Sequence, residues 1–368
     1  MTFGGMRRSN SLEWHIEKVR TAWRRGDIRS AEGLKFWLTR ILFLIGVSAF
    51  TFDPAHGAGA ADRLVGIHSA RVMSQSMPWI AQEAGLFKKY ELDFRLVYIA
   101  TSPSVTAAML GGDAEIALVG GGGIIRAFVQ GANDLLFIGG VKNFLTHSIV
   151  AKAEIKTPED LKGKKIGVER FGSNPHYFAV QALRRFRIDP AKDTTLIQSE
   201  GAPETLTALL TGRLDAAAMT APQDSIAVSR GFHYVIYGPD LRIPFAAAAF
   251  VTLRPEMSKR PQVLGRFMRA MAEAAKIMHT DQDFTYRILG KYLRLSDRKI
   301  LDASYKGEIK VLEPKLDIKP EAVQAILDDV ATVDPRAKKV SASDLIDRRY
   351  LQELETSGFF DKLWESKS

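Results

Sequence analysis

The sequence predicts an α/β protein of two similar lobes, each organised around a mainly parallel sheet. Three observations carry this expectation. The chain has 368 residues, a length that suits about two domains. From Leu64 onward, short apolar runs alternate with amphipathic stretches, the pattern of βαβ units. Residues 107–120, AAMLGGDAEIALVG, also align without gaps to 207–220, TALLTGRLDAAAMT, at an offset of 100.

The elements follow in order. Residues 64–68 (LVGIH) read as a strand, 78–84 as a helix stopped by Gly85, and 93–98 (DFRLVY) as a second strand. Residues 105–110 form a helix that ends at Gly111-Gly112, and 115–119 form the next strand. The run Gly120 to Gly123 leads into a helix over 124–130, and 134–139 (DLLFIG) is a strand. A second cycle starts near Ile149. It has a helical turn at 158–161, strands at 165–168 and 194–198, and helices at 177–186 and 204–210. Strands at 214–219, 234–237 and 246–253 complete it. Beyond Arg254-Pro255 the pattern turns helical, over 261–279, 283–293, 297–306, 320–330 and 342–357.

Composition narrows the function classes. Hydrophobic residues make up 46% and charged residues 25%, ordinary values for a folded chain. There is no cysteine, which excludes disulfides, thiolate metal sites, a cysteine nucleophile and a lipidated N-terminal cysteine. The net charge is +9, of which residues 1–61 contribute +4, and no long basic run follows. A nucleic-acid partner would call for a clustered positive stripe, so none is expected.

Residues 41–50 (ILFLIGVSAF) are apolar, preceded by Lys35 and Arg40 and followed by the small-residue stretch 57–61. A basic flank, a short apolar core and an Ala58-Gly59-Ala60 exit are the parts of a secretory signal, with cleavage expected after Ala60. The core is shorter than the roughly 20 residues of a membrane span. Residues 1–33 form a long polar extension before it, and neither Arg7-Arg8 nor Arg24-Arg25 directly precedes the core. An uncleaved anchor is the alternative.

Candidate chemistry gathers at predicted strand–helix turns. Ser102-Pro103, Asn174-Pro175 and Ala202-Pro203 are helix starts whose free N–H groups and dipole suit an anionic group. Ser102 and Asn174 are good N-cap types and sit in opposite lobes. Gly121 and Gly122 let backbone approach a ligand, and no G-K-[ST] or GxGxxG spacing accompanies them. Arg170, Phe171, Ser173 and His176 follow one strand, and Arg71, Ser74, Gln75 and Ser76 follow another. Together these suit a small or aromatic organic anion, although solvated surface charge explains either arginine equally. No HExxH, GxSxG or Cys/His arrangement is present and the seven histidines are scattered, so no enzyme, metal or cofactor is expected.

The stretch PWIAQEAGLFKKYELDF (78–94) resembles a signature near the start of nitrate/sulfonate/taurine substrate-binding proteins of ABC importers. LGGDAEIA (110–117), TPEDLKGKKIGV (157–168) and LLTGRLDAA (209–217) are similar to further parts of that family pattern. The resemblance implies a periplasmic-binding-protein fold, type II-like, with two lobes joined by crossing segments near 142–151 and 242–251. It divides the chain into a signal (1–60), a first lobe (61–145 and 246–368) and a second lobe (146–245). Ligand-facing loops would be 69–76, 101–102, 120–122, 170–176, 201–202 and 220–221, adding Thr101, Gly201 and Thr220 to the candidates. The implied role is a monomeric periplasmic receptor that delivers a small-molecule ligand to a permease and its ATPase. Thiamine-pyrimidine synthases share the pattern but rely on a cysteine-rich motif that this chain lacks. A ligand-input sensor tethered at the membrane is a further alternative.

Overall fold

The computed structural model describes residues 61–365 together with Thr21 and Arg24, so the expected export signal lies outside the described residues. The ten strands are β1 (Asp62–His68), β2 (Leu92–Tyr98), β3 (Ile116–Val119), β4 (Leu135–Phe144), β5 (Ser148–Ala151), β6 (Lys165–Val168), β7 (Thr195–Gln198), β8 (Ala216–Met219), β9 (His233–Ile236) and β10 (Pro244–Leu253). They form two five-stranded sheets, ordered β2-β1-β3-β10-β4 and β7-β6-β8-β5-β9. Each sheet has one antiparallel strand, β10 in the first and β5 in the second. That strand is the one arriving from the other lobe. The mainly parallel sheets and the two lobes are as the sequence predicts.

Helices of seven residues or more are α1 (Met77–Glu83), α2 (Ser102–Leu110), α3 (Gly121–Val129), α4 (Asn174–Arg185), α5 (Ala202–Leu210) and α6 (Gln223–Ser229). After β10 come α7 (Pro261–Thr280), α8 (Gln282–Leu293), α9 (Arg298–Glu308), α10 (Pro320–Ala331) and α11 (Arg349–Thr356). The internal match holds in three dimensions. Helices α2 and α5, and strands β3 and β8, start and stop 100 residues apart.

Two short segments join the lobes. Residues 145–147 carry the chain from β4 to β5, and 242–243 bring it back into β10, with Leu145 N donating to Ile243 O at 3.0 Å. One face of the first sheet is sealed by α7, whose buried Leu264, Phe267, Met268, Met271, Ala275 and Met278 recur at helical spacing. A second core runs continuously from that sheet through Phe137, Phe245 and Tyr177 to Phe178 and Ile166 of the second. The predicted helix over 342–357 is broken. Ala342–Leu345 is one turn, Ile346 then bridges to Phe137, and the helix restarts at Arg349. Asp347 N donates to Phe137 O at 2.9 Å, so an edge of β4 captures backbone that local periodicity assigned to a helix.

Candidate functional site

The loop after β1 is set by Gln75. Its Oε1 accepts from Ser69 N and Ala70 N, both at 2.9 Å, and its Nε2 donates to Ser69 Oγ at 2.8 Å. The Gln75 amide is spent on shaping this loop. Thr101, the residue before α2, has φ 70 and ψ 145, an unusual conformation for a β-branched residue. Its N–H donates to Ser69 O at 3.1 Å, which ties the two loops together. In the second lobe, Ser173 and Gly201 precede α4 and α5. The capping positions are therefore Thr101 and Ser173, one residue earlier than Ser102 and Asn174, because each proline occupies the second helical position. None of these three helices has a side-chain cap, so first-turn N–H groups are left free.

Where the two lobes meet, the space narrows to a cavity of about 30 Å³. Ser69, Ser74, Gln75, Thr101 and Ser102 line it from the first lobe. Glu169, Ser173, Asn174 and Thr220 face them from the second, with Lys142, His147 and Ala247 on the crossing strands and their joint. Three buried atoms here have no protein partner: Ser102 Oγ, His147 Nδ1 and Asn174 Oδ1. Asn174 Nδ2 donates to Ala247 O at 2.8 Å, which fixes the amide and leaves its oxygen beside Gly120 of the first lobe. Buried polar atoms without partners cost about 1–3 kcal/mol each, and a bound solute or water recovers that.

The electrostatics are unusual for an anion site. Lys142 is 2% exposed, and its ammonium donates to Glu308 Oε1 (2.8 Å), Glu308 Oε2 (3.0 Å) and Thr146 Oγ1 (3.0 Å). Thr220 Oγ1 donates to Glu308 Oε1 at 3.3 Å, so α9 reaches both the crossing segment and the second lobe. Burial, helped by the Lys142 charge, lowers His147 to about 3 and keeps it neutral. Burial, reinforced by Glu204, pushes Glu169 up to about 7.

Of the residues singled out from sequence, the cavity gathers Ser74, Gln75, Thr101, Ser102, Ser173, Asn174 and Thr220. Others stand elsewhere. Ser76 donates to Met73 O at 2.7 Å within its own turn. The Arg71 guanidinium lies over the Tyr98 ring at 4.6 Å, in a separate groove with Trp79 and Tyr292. Arg170 pairs with Glu200 at 2.5 Å, and Phe171 and His176 line an outer surface of the second lobe. Gly201 lies beside the Glu204 carboxyl and Ala100 rather than on the cavity wall. Gly121 packs under Ala246 and Ile326, while a side chain on Gly122 would meet Gly172 O at 2.8 Å. A side chain on Gly120 would meet Asn174 Oδ1 at 2.0 Å. The glycine run thus permits close approach of the opposite lobe. Sequence reasoning missed Lys142, His147, Glu169 and Ala247 as site residues. A lysine inside the apolar strand run GGVKNF was the one available signal, since buried lysines are almost always paired.

A sequence profile of the NMT1/THI5-like family matches residues 76–284. YtlA of Bacillus subtilis (strain 168), named as a binding protein, is 25% identical over 227 residues, covering 58% of this chain and 66% of YtlA. The match therefore spans just under two thirds of that relative's length. The alkanesulfonate-binding protein SsuA from Xanthomonas axonopodis pv. citri, solved with MOPS, superposes with a TM-score of 0.66 at 19% identity, over 78% of this chain and 98% of SsuA. The enzyme DszB, solved as a cysteine-to-serine variant with biphenyl-2-sulfinic acid, superposes with a TM-score of 0.62 at 12% identity, over 81% of this chain and 99% of DszB. These two likenesses establish a shared periplasmic-binding-protein fold, which hosts both binding and catalysis.

Proposed function

Because the chain belongs to the NMT1/THI5-like family, we propose that it is the extracytoplasmic substrate-binding protein of an ABC importer, closing its two lobes over a small polar solute. The observation that carries this is the set of partnerless buried atoms, Ser102 Oγ, His147 Nδ1 and Asn174 Oδ1, contributed by both lobes and their joint. A solute that satisfies Ser102 and Asn174 together stabilises the closed arrangement over an open one. The permease then reads closure, whatever the solute. The organic-anion class expected from Arg71 and Arg170 draws no support from this geometry, since both guanidiniums are engaged outside the cavity.

Thermal unfolding of the chain against a panel of sulfonates, nitrate, carboxylates, amines and pyrimidines tests the reading. A true ligand at a hundred times its Kd adds about 2.7 kcal/mol. The shift disappears in the double variant Ser102→Ala with Asn174→Ala. A shift untouched by that variant, or turnover of the stabilising compound, refutes the receptor reading.

A further inference from the structure

We infer that the cleft is built for a solute that presents a neutral or protonated nitrogen donor to it, and that Glu308 enforces this choice by cancelling the charge of Lys142. The inference rests on the receptor reading above and names the chemistry of that same site.

Lys142 is the cationic residue on the cavity wall. Its three donors are all spent, two on the Glu308 carboxylate and one on Thr146. Glu308 is itself 2% exposed, so solvent does not weaken the neutralisation. An ammonium so paired has neither a free hydrogen nor a net charge to offer an incoming anion. Arg170 and Arg71, the nearest alternatives in sequence, are held by Glu200 and by the Tyr98 ring. His147 is neutral, as shown above.

The Glu169 carboxylate lines the cavity, and no hydrogen bond or ion pair is formed by its side chain among the described residues. Asn174 keeps an unpartnered oxygen beside Gly120 at the lobe junction, because Ala247 O already takes its nitrogen. Ser102 Oγ and His147 Nδ1 serve as either donor or acceptor. The wall facing the solute is therefore rich in acceptors, and the one carboxyl on it without a cationic partner, Glu169, is raised by burial and by Glu204, so that it is shared between its neutral and ionised forms near neutrality. The free N–H groups of α2, α4 and α5 work in the opposite sense. Each helix end, however, carries only about half an elementary charge, and Glu204 in the first turn of α5 offsets one of them. A sulfonate or nitrate placed here meets a like charge whenever Glu169 is ionised, whereas an amine, amidine or amide N–H finds an acceptor in Glu169 in either form.

This assigns a role to a residue distant from the cavity in sequence. Glu308 belongs to the helical layer after β10, and its carboxylate decides whether Lys142 is available to a ligand. Removing that carboxylate turns the same wall toward anions.

The experiment is a thermal-shift and calorimetric titration of the whole chain and of two variants, Glu169→Gln and Glu308→Gln. The probes are methylammonium, acetamidinium, nitrate and methanesulfonate. The expected result is stabilisation of the unaltered chain by the nitrogen cations and not by the anions. In Glu169→Gln the cation affinity falls by about tenfold or more, and in Glu308→Gln nitrate or methanesulfonate gains a shift it lacks in the parent. Glu169 is not part of the buried pair, so its variant carries the test if Glu308→Gln fails to fold. Binding of nitrate or methanesulfonate to the unaltered chain, lost in Asn174→Ala, overturns the inference and leaves the receptor reading standing. Silence of every probe in all three proteins overturns both.

Discussion

Lys142 and Glu308 are 166 residues apart in the chain and 2.8 Å apart in the fold. Such a buried pair is weak evidence for stability, since its attraction is spent largely on desolvation, yet breaking it by halves is expensive. Glu308→Ala is expected to lose about 3–5 kcal/mol in denaturant unfolding. The double variant Lys142→Met with Glu308→Leu should recover most of that loss, because it removes both charges together. Equal losses in the single and double variants would mean that packing, not charge, holds this joint. The pair also shows what sequence leaves hidden at this scale. Ser102 and Asn174 were readable because helix starts have local chemistry: a small polar residue, then proline. Lys142 and Glu169 were not, because what defines each is a partner, or the lack of one, supplied by a remote element. The surroundings of the two arginines were hidden for the same reason. Their residue type suited an anion, but Glu200 and Tyr98 had already engaged them.

At the scale of elements, α4 of the second lobe docks on α10, which packs over the first sheet. Tyr177 OH donates to Ala325 O at 3.3 Å, Gln181 Nε2 donates to Asp329 Oδ1 at 2.9 Å, and Arg184 stands 3.7 Å from the same carboxylate. These bonds join the lobes without touching the cavity. Asp329→Ala removes one hydrogen bond and two loose ion pairs, of which the hydrogen bond to Gln181 and the pair with Arg184 cross between the lobes and are worth about 0.5–1.5 kcal/mol of the closed arrangement. The expected outcome is a 2- to 10-fold weaker solute affinity (roughly the same energy) with little change in unfolding midpoint and a larger radius in solution scattering. Unchanged affinity would mean that the α4–α10 contact persists through opening. Elements were mostly legible from pattern, as α7 and the paired α2–β3 and α5–β8 units illustrate. The exception at 342–357 failed because β4 offers Phe137 O to Asp347 N, a long-range bond that periodicity does not register.

Across the whole molecule, the two sheets repeat one strand order, with the visiting strand always fourth in the row. Offset-100 similarity foreshadowed that repeat; the reciprocal exchange of β5 and β10 needed the fold. The pH response is a property of this scale. Glu169 is pushed from the ordinary 4.5 up to about 7, so the native state holds the extra proton between those values. Stability from this group is therefore lost as pH rises through that window. His147, lowered from 6.5 to about 3, acts in the reverse sense: the unfolded chain takes the proton, and stability is lost as pH falls below 6.5. Glu169→Gln should accordingly be more stable than the parent at pH 8, by at most about 3 kcal/mol, with the gap closing by pH 4. A gap of equal size at both pH values would exclude the Glu169 carboxyl as its source.

The narrowness of the space between the lobes has a consequence for timing. Ligand sites of drug size run to about 300–1,000 Å³, and this one is about 30 Å³. A space of that size holds about one water, so a larger solute enters and leaves only when the lobes part. Residence time is then the opening time, set on the microsecond-to-millisecond scale of domain motion or slower. Two solutes of unequal affinity would leave at rates that differ only through how strongly each holds that door.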